Sequence, residues 1–447
     1  MSWRQIPAAL DDRGEHLRDD GPHTQRQPID YHRLATEVMR QCDAVARCSE
    51  EPNRVTRRCF TTAMQQVHQE LSDWMLMAGL APRRDEASNL IGRHASSEGD
   101  RVLLLGSHLD SVPGAGKYDG VLGVLMGVAV ARALRDTRLP FHLDVIGFCE
   151  EEGVRFSKPY LGSSAVAGCF QQEWLDRVDQ QGANLREAMT SFGVAPERIH
   201  TAAYPSEQVI GYLEPHLEQG PVLQRSGKPI GVVARIAGQS RLRLEFRGEA
   251  AHAGTTPMLG RCDALVAAAA FVSAVRTVAR RTEGLRATVG SIKNFPNATN
   301  VVPARVELSL DVRHPLDGPR EAAIDAMLAE AGQIAHIEGC QFALLEDAAQ
   351  DAVAVDDGLT SLLRDSVADC GCQPLSVPSG AGHDAVIMAS RFPVAMLFVR
   401  HPDAVSHHPD ERVDTADVAT GIEALTRFVL RVAKQYQSTN PPTAATK

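Results

Sequence analysis

Two short apolar runs with a helical pattern between them limit what this chain can fold into. Residues 102–105 form a continuous apolar run that stops at Gly106, and residues 143–148 form a second, mostly apolar run. A run of this length predicts a strand that is buried on both faces of a sheet. Because residues 120–135 have a helical pattern, the order is strand, helix, strand, which implies a right-handed crossover between parallel strands. We therefore predict an α/β fold with a mainly parallel, mixed sheet flanked by helices.

The pattern changes in the middle of the chain, between residues 229 and 345. Residues 305–312 alternate between polar and apolar side chains, as a strand does when one of its faces is exposed. The whole segment has the order strand, helix, strand, strand, helix, strand, which is that of a ferredoxin-like α+β domain. Since helix–strand alternation then resumes, we predict that residues 229–345 are inserted into a discontinuous outer domain made of residues 31–228 and 346–437.

Composition and the N-terminal segment indicate which partners and which compartment to expect. Residues 1–30 are rich in charge, proline and glutamine and lack the apolar centre of a signal peptide, so we expect a disordered leader. No apolar run approaches the ~20 residues that a membrane span requires. The net charge of −10 disfavours nucleic acid and anionic membranes as partners. The nine scattered cysteines favour reduced thiols and a cytoplasmic location.

Polar clusters follow the predicted buried strands. His108 follows the first run, Asp119 precedes the helix, and residues 150–152 (Glu-Glu-Glu) follow the second run. Adjacent carboxylates repel one another unless a cation lies among them, and ligands bind beyond the carboxyl ends of parallel strands. A solvated acidic loop is the alternative for an isolated glutamate run, but three clusters at successive strand ends favour a metal site. Imidazole and carboxylate ligands suit Zn²⁺ and also Mn²⁺, Co²⁺ and Ni²⁺.

Sequence motifs along most of the chain point to a family. The segment at 106–113 reads Gly-Ser-His-Leu-Asp-Ser-Val-Pro, and 150–156 reads Glu-Glu-Glu-Gly-Val-Arg-Phe. With further blocks in the same order, residues 31–435 resemble the N-carbamoyl-L-amino-acid hydrolases, allantoate amidohydrolases and β-ureidopropionases of the di-metal aminoacylase–carboxypeptidase superfamily. The resemblance implies a di-zinc exopeptidase-like catalytic domain with an inserted lid and dimerisation domain. The further blocks lie at 116–123, 214–221, 248–257, 296–303, 311–314, 379–384 and 406–409.

The resemblance implies a centre with two divalent ions, Zn²⁺ or Mn²⁺, Co²⁺ or Ni²⁺. One ion would be held by His108, Asp119 and His216, and the other by Asp119, Glu152 and His407, so that Asp119 bridges them. The peptidase and acylase branches usually have Asp or Glu at the position of His216, and the histidine here is typical of the carbamoyl-hydrolysing branch. His408 is the competing neighbour of His407, and we expect it to be exposed.

The resemblance also implies catalytic and substrate-binding roles. Glu151 would be the general base that takes a proton from the attacking water and passes it to the departing ammonia, and His252 would stabilise the oxyanion. Arg313 would pair with the substrate carboxylate, although a solvent-facing arginine is the alternative, as a turn residue is for Asn300. We read Glu150 as a carboxylate outside the metal ligands or on the surface. The implied substrate-binding residues are Gln219, Asn300, Arg313, Gly382 and His383.

The function that follows is hydrolysis of the terminal carbamoyl C–N bond of an N-carbamoyl-L-amino acid or of allantoate, with release of ammonia. The expected partners are this small ureido acid and a second copy of the chain, bound through the inserted domain. A dipeptidase or N-acyl-amino-acid deacylase of the same superfamily is the first alternative, and His216 argues against it. The second alternative is an inactive binding or scaffold protein that retains the fold, but every implied ligand and Glu151 are present.

Overall fold

Helices and strands alternate along residues 28–439, which are the residues that the structure, a computed structural model, describes. The helices are α1 (Tyr31–Arg47), α2 (Thr62–Met77), α3 (Val121–Ala133), α4 (Leu161–Val166), α5 (Leu185–Phe192), α6 (Val222–Arg225), α7 (Ala264–Arg281), α8 (Asp317–Ile337), α9 (Asp357–Asp369), α10 (Asp384–Met388) and α11 (Thr415–Thr439). The strands are β1 (Ala81–Arg84), β2 (Leu90–His94), β3 (Val102–His108), β4 (His142–Phe148), β5 (Val209–Leu217), β6 (Ile230–Ile236), β7 (Gly238–Arg247), β8 (Ala251–His252), β9 (Arg286–Phe295), β10 (Val301–Val302), β11 (Arg305–His314), β12 (Gln341–Gln350), β13 (Val353–Ala354), β14 (Ser376–Ser379) and β15 (Val394–Val399).

A nine-stranded mixed sheet forms the larger layer. Its order is β1-β2-β4-β3-β5-β15-β6-β13, and β14 pairs with β6. The four central strands β4, β3, β5 and β15 run parallel to one another, whereas β1, β2, β6 and β13 make antiparallel pairs near the edges. This arrangement confirms the predicted fold class of a mainly parallel sheet flanked by helices.

The burial of both faces of β3 explains the apolar run at its start. Leu103 and Leu105 pack into a core that includes α1, α3 and α11, whereas Val102 and Leu104 pack into a separate core on the opposite face of the sheet. Every residue of β3 is buried. Since both faces of the strand are covered, the side chains from Val102 to Leu105 are all apolar, and the polar Ser107 and His108 follow only at its carboxyl end.

The smaller layer is an antiparallel sheet of four strands in the order β12-β7-β11-β9. In β11 the residues Val306, Leu308, Leu310 and Val312 are buried, and they pack into a core shared with α7 and α8. The alternate residues of β11 are less buried and face away from these two helices. The sheet therefore has one face packed on helices and one face free for other contacts.

Two features differ from the sequence-based expectations. Strand β6 lies in the nine-stranded sheet beside β15 and β14, so the smaller sheet begins at Gly238, and β12 extends its other end to Gln350. Only Ala237 separates β6 from β7, so no loop marks the change of sheet in the sequence. Strand β5 was not predicted, because Glu214, Pro215 and His216 interrupt its apolar pattern. The predicted division into two domains at residues 229 and 345 stays a prediction. The strand assignments place the ends of the smaller sheet at Gly238 and Gln350.

Two expectations concern the ends of the chain and membranes. The predicted leader, residues 1–30, lies outside the described residues except for positions 28–30. Among the helices between residues 28 and 439, none is long and apolar enough to cross a membrane.

Candidate metal centre

The carboxyl ends of three central strands bring the predicted ligands together. His108 is the last residue of β3, His216 is the penultimate residue of β5, and Glu151 and Glu152 follow β4. Asp119 lies in the turn before α3 and is buried. Because β3, β4 and β5 are parallel, these ends meet at one edge of the sheet, where ligands of such sheets bind.

The first group consists of His108, Asp119 and His216. Nε2 of His216 lies 3.2 Å from Oδ1 of Asp119, Nε2 of His108 lies 3.7 Å from the same oxygen, and the two Nε2 atoms are 3.5 Å apart. The opposite nitrogen Nδ1 of each ring lies near a backbone carbonyl, that of Asp110 at 3.0 Å and that of Leu217 at 2.9 Å. A proton on each Nδ1 donates to that carbonyl and leaves a lone pair on Nε2, which is the form of histidine that binds metals.

The second group shares Asp119 with the first. Nε2 of His407 lies 3.3 Å from Oδ2 of Asp119 and 3.6 Å from Oε1 of Glu152. The side-chain amide of Gln219 donates to the same Oδ2 at 3.1 Å and to the hydroxyl of Ser406 at 2.9 Å. The two carboxylate oxygens of Asp119 thus face different groups, as expected of a carboxylate that bridges two ions.

The donor atoms fit divalent cations. Oδ1 of Asp119 is buried and has no hydrogen-bond partner of good geometry, although two imidazole nitrogens face it. Ligand atoms of His108, Asp119 and His216 lie within 4.8 Å of one another, and so do those of Asp119, Glu152 and His407. Nitrogen and oxygen donors that converge on one point are typical of a coordination shell for Zn²⁺ and similar ions.

Electrostatics at the centre also favour a cation. Burial opposes ionisation of Asp119, but the imidazoles of His108, His216 and His407 that face its carboxylate outweigh burial and hold the pKa of Asp119 well below its usual range. Burial and then the charge of Asp119 raise the pKa of Glu152 to about 7, and burial raises the pKa of Glu151 well above its usual value. Positive charge from metal ions would reverse these two shifts, because it stabilises the ionised carboxylates.

Glu151 lies next to both groups. Its Oε2 is 4.0 Å from Nε2 of His108. A carboxylate oxygen of Glu151 also lies within 4.8 Å of potential metal-ligand atoms of His108 and Glu152. The side chain is buried and lines the same cavity as the ligands. Glu151 thus borders both ligand groups, and its role as general base stays a prediction.

Two buried carboxylates support the centre, and sequence reasoning assigned neither of them a role. Asp110 accepts hydrogen bonds from the backbone amides of Glu151 and Glu152, each at 3.0 Å. Glu411 accepts from the amides of Tyr118 at 2.9 Å and Asp119 at 3.1 Å. Asp110 belongs to the same motif as His108, which was a usable signal. Glu411 is far along the chain from Asp119, so its sequence context gave no such signal.

Glu150 is buried, so of the two readings that the sequence left open, the one that places it outside the metal ligands holds and the surface position does not. Its side chain is fully buried, and Oε1 accepts hydrogen bonds from the amides of Arg155 at 2.9 Å and Phe156 at 3.2 Å. The carboxylate therefore holds the loop after β4, outside the ligand groups. His408 is exposed, as predicted.

Gly120 allows the close approach of Asp119 to His108. Its φ is +66°, and an added Cβ would lie 2.5 Å from atoms of the His108 ring. A side chain at this position would therefore both strain the backbone and displace a predicted ligand.

A cavity of about 440 Å³ lies over the centre. Gly382 borders it, and an added Cβ there would meet the Tyr160 hydroxyl at 2.0 Å, so the wall requires glycine. His383 is buried against His216, and burial lowers its pKa well below the usual value, so the imidazole is neutral. Ten of the predicted site residues line the cavity: His108, Asp119, Glu151, Glu152, His216, Gln219, Arg313, Gly382, His383 and His407.

Arg313 reaches the cavity from β11 of the smaller sheet. Its Nε and Nη2 donate to the carboxylate of Asp311 at 2.8 and 3.1 Å, and Nη1 donates to the carbonyl of Gly380 at 2.9 Å. A guanidinium has five N–H groups, so two remain for a substrate carboxylate.

His252 and Asn300 do not line the cavity of their own chain. His252 pairs with Val301 in the short β8–β10 ladder, and both His252 and Asn300 are exposed. Sequence reasoning also missed Gln239 and Arg241, which line the cavity from β7. Their alternation along β7 was visible in the sequence, but which side of the smaller sheet faces the centre was not.

Comparisons with known proteins show which family the chain resembles. The chain matches the family described as Peptidase family M20/M25/M40 over residues 104–431. An N-carbamoyl-L-amino acid amidohydrolase of Geobacillus stearothermophilus is 37% identical over 383 residues, which are 85% of this chain and 94% of that protein. An allantoate amidohydrolase of Bacillus subtilis (strain 168) is 33% identical over 384 residues, 85% of this chain and 93% of that protein. The crystal structure of an amidase of the hydantoinase/carbamoylase family from Burkholderia multivorans is similar with a TM-score of 0.82 and 31% identity, and the match covers 91% of this chain and 98% of that one.

Proposed function

The chain belongs to the peptidase family M20/M25/M40, and from this membership we propose that it hydrolyses the terminal carbamoyl C–N bond of a ureido acid. The substrate is an N-carbamoyl-L-amino acid or allantoate, the compounds named for its relatives. One observation carries the proposal. Asp119 lies between two groups of imidazole and carboxylate ligands, at the base of a cavity that Arg313 also lines.

Two divalent ions at these groups, Zn²⁺ or Mn²⁺, Co²⁺ or Ni²⁺, would supply a water of lowered pKa and polarise the ureido carbonyl. Glu151 takes the proton of the attacking water and delivers it to the nitrogen that leaves as ammonia. The remaining carbamate then loses carbon dioxide, which leaves the amino acid. His383 is neutral, so it can offer the substrate a hydrogen bond but no charge.

Arg313 holds the substrate carboxylate in this proposal. Two of its N–H groups are not engaged by Asp311 or Gly380, and the side chain is only 28% exposed at the border of the cavity. A partly buried guanidinium pairs well with a carboxylate, because both groups are planar and the hydrogen bonds are charge-assisted.

His252 and Asn300 act at the metal centre of a second subunit in this proposal. Because both residues are exposed and outside their own chain's cavity, we propose a homodimer in which the smaller domain of one copy brings them to the centre of the other. Mixing two inactive variants, E151Q and H252A, tests this directly, because mixed dimers would then contain one intact site. Recovery of activity is expected, and its absence in dimers shown to have exchanged subunits would contradict the proposal.

The reaction itself is tested with a substrate panel. Ammonia release is measured with N-carbamoyl-L-amino acids and allantoate, and release of a free α-amino group is measured with dipeptides and N-acetyl-amino acids, before and after removal of metal with a chelator. We expect turnover of the ureido acids alone, loss on chelation and recovery with added metal. Turnover of the peptides or acyl compounds instead would favour the deacylase or dipeptidase alternative, and no turnover by the metal-restored protein would favour a binding protein.

A cytoplasmic location is a further part of this proposal. All nine cysteines are free thiols in the structure, and four of them are buried, namely Cys42, Cys48, Cys59 and Cys149. Free thiols are typical of proteins that function in a reducing compartment.

A further inference from the structure

The exposed face of the smaller sheet places charged side chains over the metal centre. Arg241 and Gln239 on β7 are register partners of Asp311 and Arg313 on β11. Residues that pair in register project to the same face of a sheet, and here that face is the one opposite α7 and α8. Gln239, Arg241 and Arg313 all line the cavity over the metal ligands.

Asp311 is already engaged by Arg313. Both of its carboxylate oxygens accept from that guanidinium, at 2.8 and 3.1 Å. Nε of Arg241 lies 3.5 Å from Oδ2 of Asp311, and no side-chain hydrogen bond from Arg241 is present among residues 28–439. The Arg241 side chain is 64% exposed, so its guanidinium is available in the open part of the cavity. Two positive charges thus share a single carboxylate, and one of them lacks a hydrogen-bonded partner.

The wall around Arg241 is polar. Besides the predicted site residues, the cavity is lined by the polar side chains of Ser157, Tyr160, Gln239 and Arg241. Among the described residues, only Pro159 and Ala381 line it with aliphatic side chains. An apolar substituent would gain little contact here and would desolvate a guanidinium without replacing its hydrogen bonds. A substituent that carries an oxygen acceptor would replace them.

We propose that Arg241, with Gln239 beside it, determines specificity by binding an oxygen acceptor on the substituent at the substrate's α-carbon. This inference rests on the proposed function: the ureido group lies at the metal ligands and the α-carboxylate at Arg313, which leaves the third group on the α-carbon for Arg241. Arg241 and Arg313 are diagonal neighbours on adjacent strands, about 7–8 Å apart at Cα, a spacing that suits two groups on one small molecule. The acceptor is a carboxylate or a neutral carbonyl oxygen of an amide or second ureido group.

The test compares specificity ratios in R241A with those in a matched control, R243A. Arg243 is also on β7, points to the same face and pairs with Glu307 and Glu346, but it does not line the cavity. The substrates are N-carbamoyl-L-glutamate, N-carbamoyl-L-glutamine, allantoate, N-carbamoyl-L-norleucine and N-carbamoylglycine, each assayed with the metal-loaded enzyme. The readout is kcat/KM for each compound relative to N-carbamoylglycine, which has no substituent, with kcat and KM reported separately.

We expect R241A to lower the relative kcat/KM for compounds with an acceptor by roughly 10- to 100-fold, mainly through KM, because a hydrogen bond to a charged group is lost. The ratio for norleucine should stay constant or rise, and R243A should leave all ratios unchanged. A loss confined to the glutamate compound identifies a carboxylate, and a similar loss with glutamine and allantoate identifies a carbonyl oxygen. Equal losses for norleucine and the acceptor compounds, or the same change in R243A, would overturn the inference while the proposed function stands. A wild-type enzyme that hydrolyses none of the ureido acids would overturn both.

Discussion

Replacing Glu411 tests whether a residue that binds no metal itself holds the metal centre in place. Its carboxylate accepts hydrogen bonds from the amides of Tyr118 and Asp119 and thereby orients the turn that presents the bridging ligand. The side chain is buried, and an added Cβ on Gly116 would meet it at 2.3 Å, so the surrounding turn is tightly packed. The E411A variant removes the acceptor of both amides.

The expected size of the effect follows from these two bonds. A hydrogen bond to a charged acceptor contributes about 1.5–3 kcal/mol, and two bonds at the lower value sum to about 3 kcal/mol. Every 1.4 kcal/mol is tenfold in an equilibrium constant, so E411A should bind metal roughly 100-fold more weakly than the wild type. E411Q keeps one oxygen acceptor without the charge, so its loss should be smaller.

Metal affinity is measured by competition with a chromophoric chelator. E423A is the control, because Glu423 makes a partly exposed i,i+4 pair with Arg427 on α11, outside both ligand groups and absent from the cavity lining, and such helix pairs contribute only about 0.3–0.5 kcal/mol. We expect wild-type affinity in E423A, a moderate loss in E411Q and the largest loss in E411A. Wild-type metal affinity and turnover in E411A would refute the reasoning that Glu411 positions Asp119.

Three further predictions concern the base, the substrate carboxylate and pH. E151Q should retain metal, as measured by elemental analysis, yet lose roughly 10²–10⁴-fold in kcat, and near-normal turnover would exclude Glu151 as the base. R313A should raise KM strongly for carboxylate substrates and less for their neutral amide analogues, and equal effects would argue against carboxylate pairing. Burial raises the pKa of Glu150, Glu152 and Glu411 to about 7 in the metal-free protein, so the native state binds more protons than the unfolded state above pH 4.5. The free energy of unfolding of the metal-free protein, measured in urea, should therefore fall as the pH rises from about 4.5 to 7, and added metal should reduce this fall; a rise over that range would contradict the assignment.

Much of the large sheet and the ligand set could be predicted from local sequence. The run 102–105 and the helix after it required a buried parallel crossover, because both faces of β3 contact cores. The ligands His108, Asp119 and Glu152 follow strand ends directly, so the order of elements already brought them together. His216 and His407 were predicted through family motifs alone, since no local pattern marks β5 or the loop of His407.

The contacts that could not be predicted are those between distant segments. Glu411 reaches the amide of Asp119 from nearly three hundred residues further along the chain, and its neighbours in sequence carry no mark of that contact. Arg241 looks like an ordinary exposed arginine of an alternating strand until the placement of the smaller sheet aligns that face with the cavity. The burial of Glu150 was missed for a similar reason: its partners are amides of Arg155 and Phe156, and a backbone donor has no signature in sequence.

The central claim is that Asp119 bridges two metal ions, and metal content per chain tests it most directly. Wild-type protein, H216A, H407A and D119A are loaded with Zn²⁺, passed through a desalting column and measured by elemental analysis together with their protein concentration. The account predicts two ions in the wild type, a selective loss of one ion in H216A and in H407A, and loss of both in D119A, because only Asp119 belongs to both ligand groups. A folded D119A protein that keeps two ions, or a fully loaded wild type that holds only one, would contradict it.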